Sequence, residues 1–261
     1  MGPHDTWFHL IPGVRSAEHS LAHAVGNGWI EGSETHSMAH VFMALFILGL
    51  LTFLAVRFKG AIANSGDNGV IPADTLNARG VVEVITDAVM GSMVPVMGEK
   101  AARQFLPLIG ALAFFILFSN LAGLVPGFLP STDTWNTTMA CGAVVFVATH
   151  VYGLKVNGIE HVKHLMGPIW WLAWLMLPIE IISHIVRPVS LSLRLMGNMV
   201  GDHKVLGIFL TIISVPLLIP VPIMLLGTIV CIVQTLVFCL LSIVYIGMAI
   251  EEHHHDEAHA H

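Results

Sequence analysis

Residues 166–250 form an almost unbroken apolar run, and this run restricts the possible folds of the chain more than any other feature. A proline cluster in SVPLLIPVPI cannot lie within one regular helix, so it divides the run into the two arms of a helical hairpin. At roughly 1.5 Å per residue the first arm, 168–215, would be about 72 Å long and the second, 223–250, about 42 Å. Both arms exceed a hydrocarbon core of ~30 Å, so the first must tilt steeply, break near Pro178 or Pro188, or do both, and the second must tilt.

The composition agrees with a membrane protein. Of the 261 residues, 55% are hydrophobic and 11% are charged, whereas soluble domains carry about 25% charged residues. The formal charge of −6 excludes a nucleic-acid binder that neutralises phosphates with a basic face. The three cysteines, Cys141, Cys231 and Cys239, fall in apolar stretches, and they predict neither a disulfide framework nor a metal site.

Three shorter apolar stretches upstream of the hairpin predict three further spans. They cover about 38–56, 105–128 and 139–154. Arg57 and Lys59 end the first span, and the polar loop STDTWNTT joins the second to the third.

Residues 76–98 favour a helix of another kind. Glu83 and Asp87 lie one turn apart on this helix, and its apolar residues share another face: Val82, Ile85, Val89 and Met93. This pattern predicts an amphipathic helix on the membrane surface. The expected fold class is therefore an all-α integral membrane protein with about five spans plus a surface amphipathic helix, its last two helices forming a long, strongly tilted hairpin.

The chain ends differ from the apolar middle. We expect residues 1–37 to be a polar, His-rich segment, 38–250 a single membrane domain and 251–261 a His- and acid-rich tail. The first 36 residues lack the apolar run of a signal peptide, so the first span must target the chain. Most of the 16 histidines lie in the two ends. They suggest a metal site or a solvated, pH-sensitive tail, and HHHDEAHAH favours the tail because it has no fixed ligand spacing.

The distribution of cations predicts an orientation. With the N-terminus outside, seven cations fall on the cytoplasmic side: Arg57, Lys59, Arg79, Lys100, Arg103, Lys155 and Lys163. Only Arg15 and Lys204 then fall outside. The positive-inside rule therefore favours five spans that run from an outer N-terminus to a cytoplasmic C-terminus.

Ionisable residues concentrate on the first arm of the hairpin, where each is a functional hypothesis because a charge in a bilayer is costly. Glu180, Arg187 and Arg194 are seven residues apart, so they form one stripe that drifts about 20° per step. Ser190 and Asn198 flank Arg194 on nearly the same stripe. The alternative is a set of structural contacts between packed helices, which suits the small polar residues of the arm: Ser183, Ser190, Ser192 and Asn198.

Structural contacts alone do not account for Arg194. Its own helix offers no acid within reach, since Glu180 is about 21 Å away along the axis and Asp202 about 12 Å. The second arm has no acid before Glu251. A partner carboxylate must therefore come from elsewhere, most economically from another subunit.

Titratable groups lie on both sides of Arg194. Glu180 and His184 are towards the cytoplasmic end, whereas Asp202 and His203 are towards the outer end on a different face. This pattern is expected if ions enter from one side, cannot pass the arginine directly, and leave by an offset path.

Four segments resemble the a-subunit family of F-type ATP synthases, the stator protein beside the rotating c-ring. RPVSLSLRLMGNM resembles the family signature around its essential arginine, and IVQTLVFCLLSIVYIGMAIEEH resembles the C-terminal helix. ILFSNLAGLVPGFLP and LNARGVVEVITDAV resemble the second span and the amphipathic segment before it. The resemblance extends from about residue 38 to 253.

The resemblance implies a non-catalytic subunit of the bacterial inner membrane that carries protons to and from the ring carboxylates through two offset half-channels. Its implied partners are the c-ring, b-type peripheral stalk subunits and membrane lipid, with no cofactor, no metal and no nucleic acid. By position, Arg194 corresponds to the arginine between the half-channels and Gln234 to a glutamine near it. The other residues carried over are Asn198 and Ser190 on the same helix, Glu180 in the cytoplasmic half-channel and His203 in the outer one.

Two glycines depart from the family pattern in the outer half-channel. Gly227 stands where many members have an acid or histidine, and Gly123 where some have Asp; Asp202 could compensate. Our own geometry also differs from the resemblance, since a hairpin folded about residue 219 would set Arg194 opposite position 244, beside Tyr245, and not opposite Gln234.

Two other classes of function remain open. A secondary transporter or channel would use Arg194 to bind an anionic substrate, and it predicts internal repeats, which we do not find between 38–154 and 166–250. A structural scaffold with a metal-binding tail predicts that the His-rich ends matter and that Arg194 does not.

Overall fold

The computed structural model describes residues 39–64, 77–125, 130–158, 173–212 and 220–251, together with Ser16 and Phe128. Five helices in these residues are long and apolar enough to cross a membrane. They are α1 (Ala39–Asn64), α2 (Ala78–Gly123), α3 (Trp135–Asn157), α4 (Ala173–Ile212) and α5 (Pro220–Glu251). The predicted fold class, an all-α integral membrane protein with five spans, is confirmed.

The helix bounds differ from the predicted ones in two places. The helix α1 continues past Arg57 and Lys59 to Asn64, so these cations end the apolar run but not the helix. Part of the predicted polar loop is helical, because Ser131–Asp133 forms a 3₁₀ turn and α3 begins at Trp135. The predicted N-terminal segment 1–37, apart from Ser16, the proline-rich residues 213–219 and the tail residues 252–261 lie outside the described residues.

The predicted surface helix is not a separate element. It is the first part of α2, which is interrupted only at Gly98, where φ is 77° and ψ is 163°. This backbone conformation favours glycine, because a side chain at positive φ meets its own backbone. Two residues of the predicted apolar face, Val89 and Met93, are buried in a cluster with Ile243 and Ile246 of α5. The segment therefore bends at Gly98 and packs against the end of α5.

Helices α2 and α5 form the centre of the bundle and run antiparallel. Gly247 of α5 lies beside Val96 and Met97 of α2, whereas Gly227, twenty residues earlier in α5, lies beside Leu124 just after α2. Two clusters of buried apolar side chains fill the space between these ends, and the second also includes residues of α3 and α4. Since lipid tails are as apolar as these side chains, the close fit of the helices, more than water exclusion, holds them together.

Helices α3 and α4 pack closely because Gly142 has no side chain. A Cβ atom at this position would lie 2.6 Å from the Ser192 hydroxyl and 3.0 Å from the Pro188 carbonyl oxygen. The buried Ser192 donates to the carbonyl oxygens of Thr138 and Pro188. For Ser192, the structural interpretation of the small polar residues is therefore confirmed.

Helix α4 contains both prolines that were considered as break points. It runs as one helix over 40 residues with Pro178 and Pro188 inside it. At about 1.5 Å per residue it is roughly 60 Å long, twice the hydrocarbon thickness, so it can remain in a bilayer only by tilting.

The hairpin register differs from the register expected from a fold about residue 219. Asn198 bonds to Gln234, and the Arg187 guanidinium lies over the Tyr245 ring. Both pairs are symmetric about residue 216, which is midway between the end of α4 at Ile212 and the start of α5 at Pro220. The expectation that Arg194 lies opposite position 244 is therefore wrong, since this register sets it level with Phe238, one turn from Gln234.

Candidate functional site

One face of α4 carries Arg194 and is open. Ser190, Arg194, Gly197 and Gly201 follow one another at intervals of four, three and four residues, so they share a face, and all four are exposed. A Cβ atom at Gly197 or Gly201 would meet nothing within 4 Å. We call these four residues the open stripe. Because its other members are small, another membrane helix could approach the backbone of α4 closely at Arg194.

Arg194 makes no ion pair with any carboxylate that the structure describes. Charge pairs elsewhere among the described residues join Arg79 with Glu83, Arg103 with Glu99, and His184 with Glu180. Placing an arginine at the centre of a membrane helix costs about 2.5–3.5 kcal/mol even by the lowest measures. The exposed position and the absence of a described acid agree with a counter-charge supplied from outside the chain.

Asn198 and Gln234 connect the two arms of the hairpin one turn beyond Arg194. The Asn198 amide nitrogen Nδ2 donates to Gln234 Oε1 at 2.7 Å. Gln234 is only 3% exposed, and its Nε2 has no hydrogen-bond partner among the described residues. A buried donor without a partner costs about 1–3 kcal/mol, so this atom requires water or a group that the described residues do not supply.

The other polar residues of α5 are satisfied within their own helix. Three hydroxyls donate to the carbonyl oxygen four residues earlier: Thr228, Thr235 and Ser242. This is the usual way in which a membrane helix accommodates a hydroxyl. Gln234 and Tyr245 are therefore the polar residues of α5 that reach α4.

Beyond Gln234 lies what we call the Asp202 end of the bundle. Asp202 is half-buried, and its carboxylate lies near enough to Cys231 of α5 to act electrostatically on that thiol. The side chain of His203 is not among those that the structure describes. Asp202 is therefore placed between α4 and α5 one turn beyond Asn198, whereas His203 stays a prediction.

Both glycines that depart from the family pattern are closely covered. A Cβ atom at Gly227 would lie 2.7 Å from Cδ2 of Leu124, and one at Gly123 would lie 2.7 Å from Cβ of Pro130. Leu124 and Pro130 therefore occupy the space in which a side chain would stand. A larger residue at either position would therefore have to displace Leu124 or Pro130.

Asn120 is a buried polar residue to which the sequence argument gave no role. It is fully buried in α2, and its Oδ1 accepts a hydrogen bond from the Thr132 hydroxyl at 2.7 Å. Its Nδ2 has no hydrogen-bond partner among the described residues. Helices α2 and α5 are antiparallel, and Leu124 lies against Gly227. Asn120 is one turn before Leu124, so it lies one turn closer than Leu124 to the level of Gln234. The adjacent polar pair of Ser119 and Asn120 in an apolar span was the available sequence signal.

The end of α4 opposite Asp202 carries the titratable residues Glu180 and His184. We call this end of the bundle the Glu180 end. His184 Nε2 lies 3.3 Å from Glu180 Oε1. The His184 ring also meets His150 of α3, with 5.1 Å between centroids in an edge-to-face arrangement. The sequence predicted that Glu180 and His184 lie towards the same end of the helix, but neither their pairing nor the contribution of His150.

The described residues show no arrangement typical of a metal site. No three His, Cys, Asp or Glu side chains among them come together as ligands would. Cys141, Cys231 and Cys239 are buried and free, as their apolar surroundings predicted.

Comparison with known proteins gives matches over nearly the whole chain. The family model described as ATP synthase A chain matches residues 38–247. A protein named ATP synthase subunit a from Sorangium cellulosum is 44% identical over 246 residues, 94% of this chain and 94% of that protein. Proteins of the same name from Bdellovibrio bacteriovorus and Trichlorobacter lovleyi are 43% and 44% identical over 95% and 86% of this chain, and over 98% and 91% of their own lengths.

The matched region contains every described helix apart from the last residues of α5, and so it includes the open stripe, the Asn198 to Gln234 bond and both titratable ends. A match over this much of the chain, at this identity, covers the core as well as the site. The chain is an integral multi-pass membrane protein that belongs to the ATP synthase A chain family.

Proposed function

We propose that this chain is the stator subunit of a rotary ATP synthase and that it carries protons to and from the carboxylates of the c-ring. The observation that carries the proposal is the exposed Arg194 on the open stripe, with no described acid beside it. The family matches support the assignment to the membrane sector of the enzyme. The chain does no covalent chemistry in this role.

The cation distribution supports an orientation in a bacterial inner membrane with the N-terminus outside and the C-terminus in the cytoplasm. In this orientation the Glu180 end of α4 faces the cytoplasm and the Asp202 end faces outward. A proton that moves down the membrane potential releases about 2.3 kcal/mol per 100 mV, and this free energy is available for rotation.

Arg194 would act on each ring carboxylate as it passes the open stripe. A positive charge within about 4–6 Å favours the ionised form of a carboxylate, so a protonated ring site would release its proton before it passes the arginine. The fixed charge of Arg194 would also repel a proton that tried to pass directly between the half-channels. Ring rotation is then the route that remains.

Two offset groups of polar residues would form the half-channels. Asp202 and His203 would serve the outer one, with Asn198, Gln234 and Ser190 beside the arginine. Glu180 would serve the cytoplasmic one. The unsatisfied amide nitrogens of Gln234 and Asn120 support a hydrated outer path, because each needs a hydrogen-bond acceptor that water can supply.

The partners follow from the exposed surfaces. The open stripe suits the outer helices of a c-ring, and the exposed apolar side chains of α1 suit lipid or the b-type subunits of the peripheral stalk. In this assembly the carboxylate that Arg194 lacks belongs to the ring.

Arg194→Ala tests the proposal in inverted membrane vesicles that contain the whole enzyme. Removing the charge should abolish ATP-driven proton pumping, because nothing then separates the half-channels or assists release from the ring. Arg103→Ala is the matched control, since Arg103 is an exposed arginine paired with Glu99 on α2, and it should pump normally. Co-purification of the ring with both variants would show that each complex assembles.

Coupled pumping by an assembled Arg194→Ala complex would contradict the proposal. Equal loss in Arg194→Ala and Arg103→Ala would also count against it, because the effect would then not be specific to the open stripe.

A further inference from the structure

Two histidines from different helices meet at the Glu180 end, and the family assignment does not explain either of them. His150 lies in α3 and His184 in α4, and their rings are 5.1 Å apart at an interplanar angle of 73°. Both are half-buried within spans whose surroundings are apolar. Titratable side chains are costly in a bilayer, so two that face each other require a reason.

The hydrogen bond of His150 determines which of its nitrogens can exchange a proton. Its Nδ1 lies 2.9 Å from the carbonyl oxygen of Phe146. Because a carbonyl oxygen only accepts, Nδ1 carries the hydrogen, and in the neutral ring Nε2 holds the lone pair. Nε2 is therefore the nitrogen that gains and loses a proton.

A small pocket lies beside the His184 ring, between α3, α4 and α5. It is lined by Thr149, His184, Arg187 and Tyr245, among others, and has room for about one water molecule. On the other side of His184 is Glu180, whose Oε1 lies 3.3 Å from Nε2. A line of proton-carrying groups thus runs from the pocket through an imidazole to the carboxylate at the end of the helix.

Charges of both signs stand near the pair. Among the described residues, Glu180 and Arg187 from α4 and Tyr245 from α5 lie beside the rings or the pocket. Glu180 attracts an imidazolium and Arg187 repels it. The nearby acceptor for a proton that leaves His184 is therefore the Glu180 carboxylate.

Aromatic packing alone does not explain why residue 150 is a histidine. His150 also contacts the Phe146 ring at 4.2 Å, and an apolar side chain would make that contact without the cost of burying a polar ring. Packing does not account for a second imidazole, a carboxylate and a water-sized pocket that meet at one end of α4.

We propose that His150 and His184 form a proton relay between the pocket and Glu180. The inference rests on the proposed function and names a route within the cytoplasmic half-channel. A proton that reaches the pocket as hydronium passes to His184, and water is left behind. The imidazolium gives its Nε2 proton to the Glu180 carboxylate, and the carboxylic acid releases it to water at the end of α4. His184 regains its starting tautomer by turning its ring or by exchanging a proton with His150 Nε2, so no proton is consumed.

The test measures passive proton flux through membrane vesicles that contain the assembled enzyme with its soluble catalytic sector removed. His150→Gln and His184→Gln keep a polar side chain but lose the titrating ring. Each should lower the flux by about tenfold or more, in line with the loss of a positioned proton carrier. Each should also flatten the pH dependence between about pH 5 and 8, where histidine titrates. His40→Gln, the same change in α1, is the control and should behave like the unmodified protein.

The double variant separates one shared path from two independent effects. If both histidines serve one relay, His150→Gln with His184→Gln should be no slower than the slower single variant. Flux that stays normal in the single variants, or falls with an unchanged pH profile, would overturn the relay. A flat pH profile in the unmodified enzyme would also overturn it, whether or not the variants assemble.

The outcomes are distinct from those of the Arg194 experiment. If Arg194→Ala abolishes pumping while the histidine variants conduct normally, the relay is wrong and the stator function stands. If Arg194→Ala pumps, the stator function itself fails.

Discussion

Gly227 and Leu124 show how a single missing side chain shapes the Asp202 end of the bundle. Leu124 fills the space beside Gly227, so a relay group at residue 227 would have to displace it. The sequence showed a glycine at residue 227, where the resemblance implies a relay group. It did not show that the space was already filled, because Leu124 lies more than a hundred residues earlier in the chain.

Gly227→Leu should destabilise the protein. The added side chain would collide with Leu124, and overpacking typically costs about 1–3 kcal/mol. Adding Leu124→Ala to the same chain should restore much of the loss. Gly49→Leu in α1 is the control, because a Cβ atom there meets nothing within 4 Å. The midpoint of thermal unfolding in detergent measures all three, and an equal midpoint for Gly227→Leu and Gly49→Leu would contradict the crowding.

The pairing of Asn198 with Gln234 also depends on the packing of helices that are not adjacent in sequence at these residues. The resemblance to the family placed both residues near Arg194, whereas our own hairpin geometry placed Tyr245 there. The structure shows the Asn198 to Gln234 bond and moves Tyr245 to Arg187. The expected centre of the hairpin was residue 219, whereas the observed pairs are centred on residue 216. This shift of three residues changes the residue opposite any given position by six.

Helix α2 joins two segments that the sequence predicts as separate elements. The amphipathic pattern before Gly98 and the apolar run after it have different periodicity and composition, which correctly indicates two environments. Their junction is a single residue with positive φ, and no loop separates them. The direction of the first segment therefore depends on one backbone angle and on its packing against α5.

Gly98→Ala should weaken this junction. A side chain at a φ of 77° costs about 1–3 kcal/mol. Gly91→Ala, in the same segment, should instead be neutral or stabilising by up to about 1 kcal/mol, because Gly91 is helical and a Cβ atom there meets nothing. Thermal unfolding of the two variants gives the comparison. A Gly98→Ala protein as stable as Gly91→Ala would show that α2 can form without the bend.

The whole bundle presents apolar surface on most sides, as a protein in lipid must. Exposed apolar side chains occur on all five helices, so exposure alone does not identify the face of a partner. The open stripe differs because it combines small residues with one arginine. A charged residue on a lipid-facing surface is unfavourable, and a partner with a carboxylate removes that cost.

A cysteine crosslink tests which face meets the ring. Leu193→Cys, beside Arg194, should form a disulfide with a cysteine introduced on the outer helix of the c-ring under mild oxidation. Val56→Cys on α1 is at least as exposed and should not crosslink. Background reaction should be low because the three native cysteines are buried. A crosslink from Val56 but not from Leu193 would place the ring on another side of the bundle.

The number, order and approximate limits of the five spans are properties of local composition, and for this reason the sequence alone was sufficient to predict them. The length of an apolar run and the position of a proline cluster decide where a helix can cross a membrane, whatever else surrounds it. Arg194 stood out for the same local reason, since no acid on its own helix could reach it. Contacts between helices depend instead on register and on which faces meet. The closeness of His150 to His184, the filling of the space at Gly227 and the level of Gln234 all required the folded bundle, because each joins residues that are far apart in the chain and equally compatible with other packings.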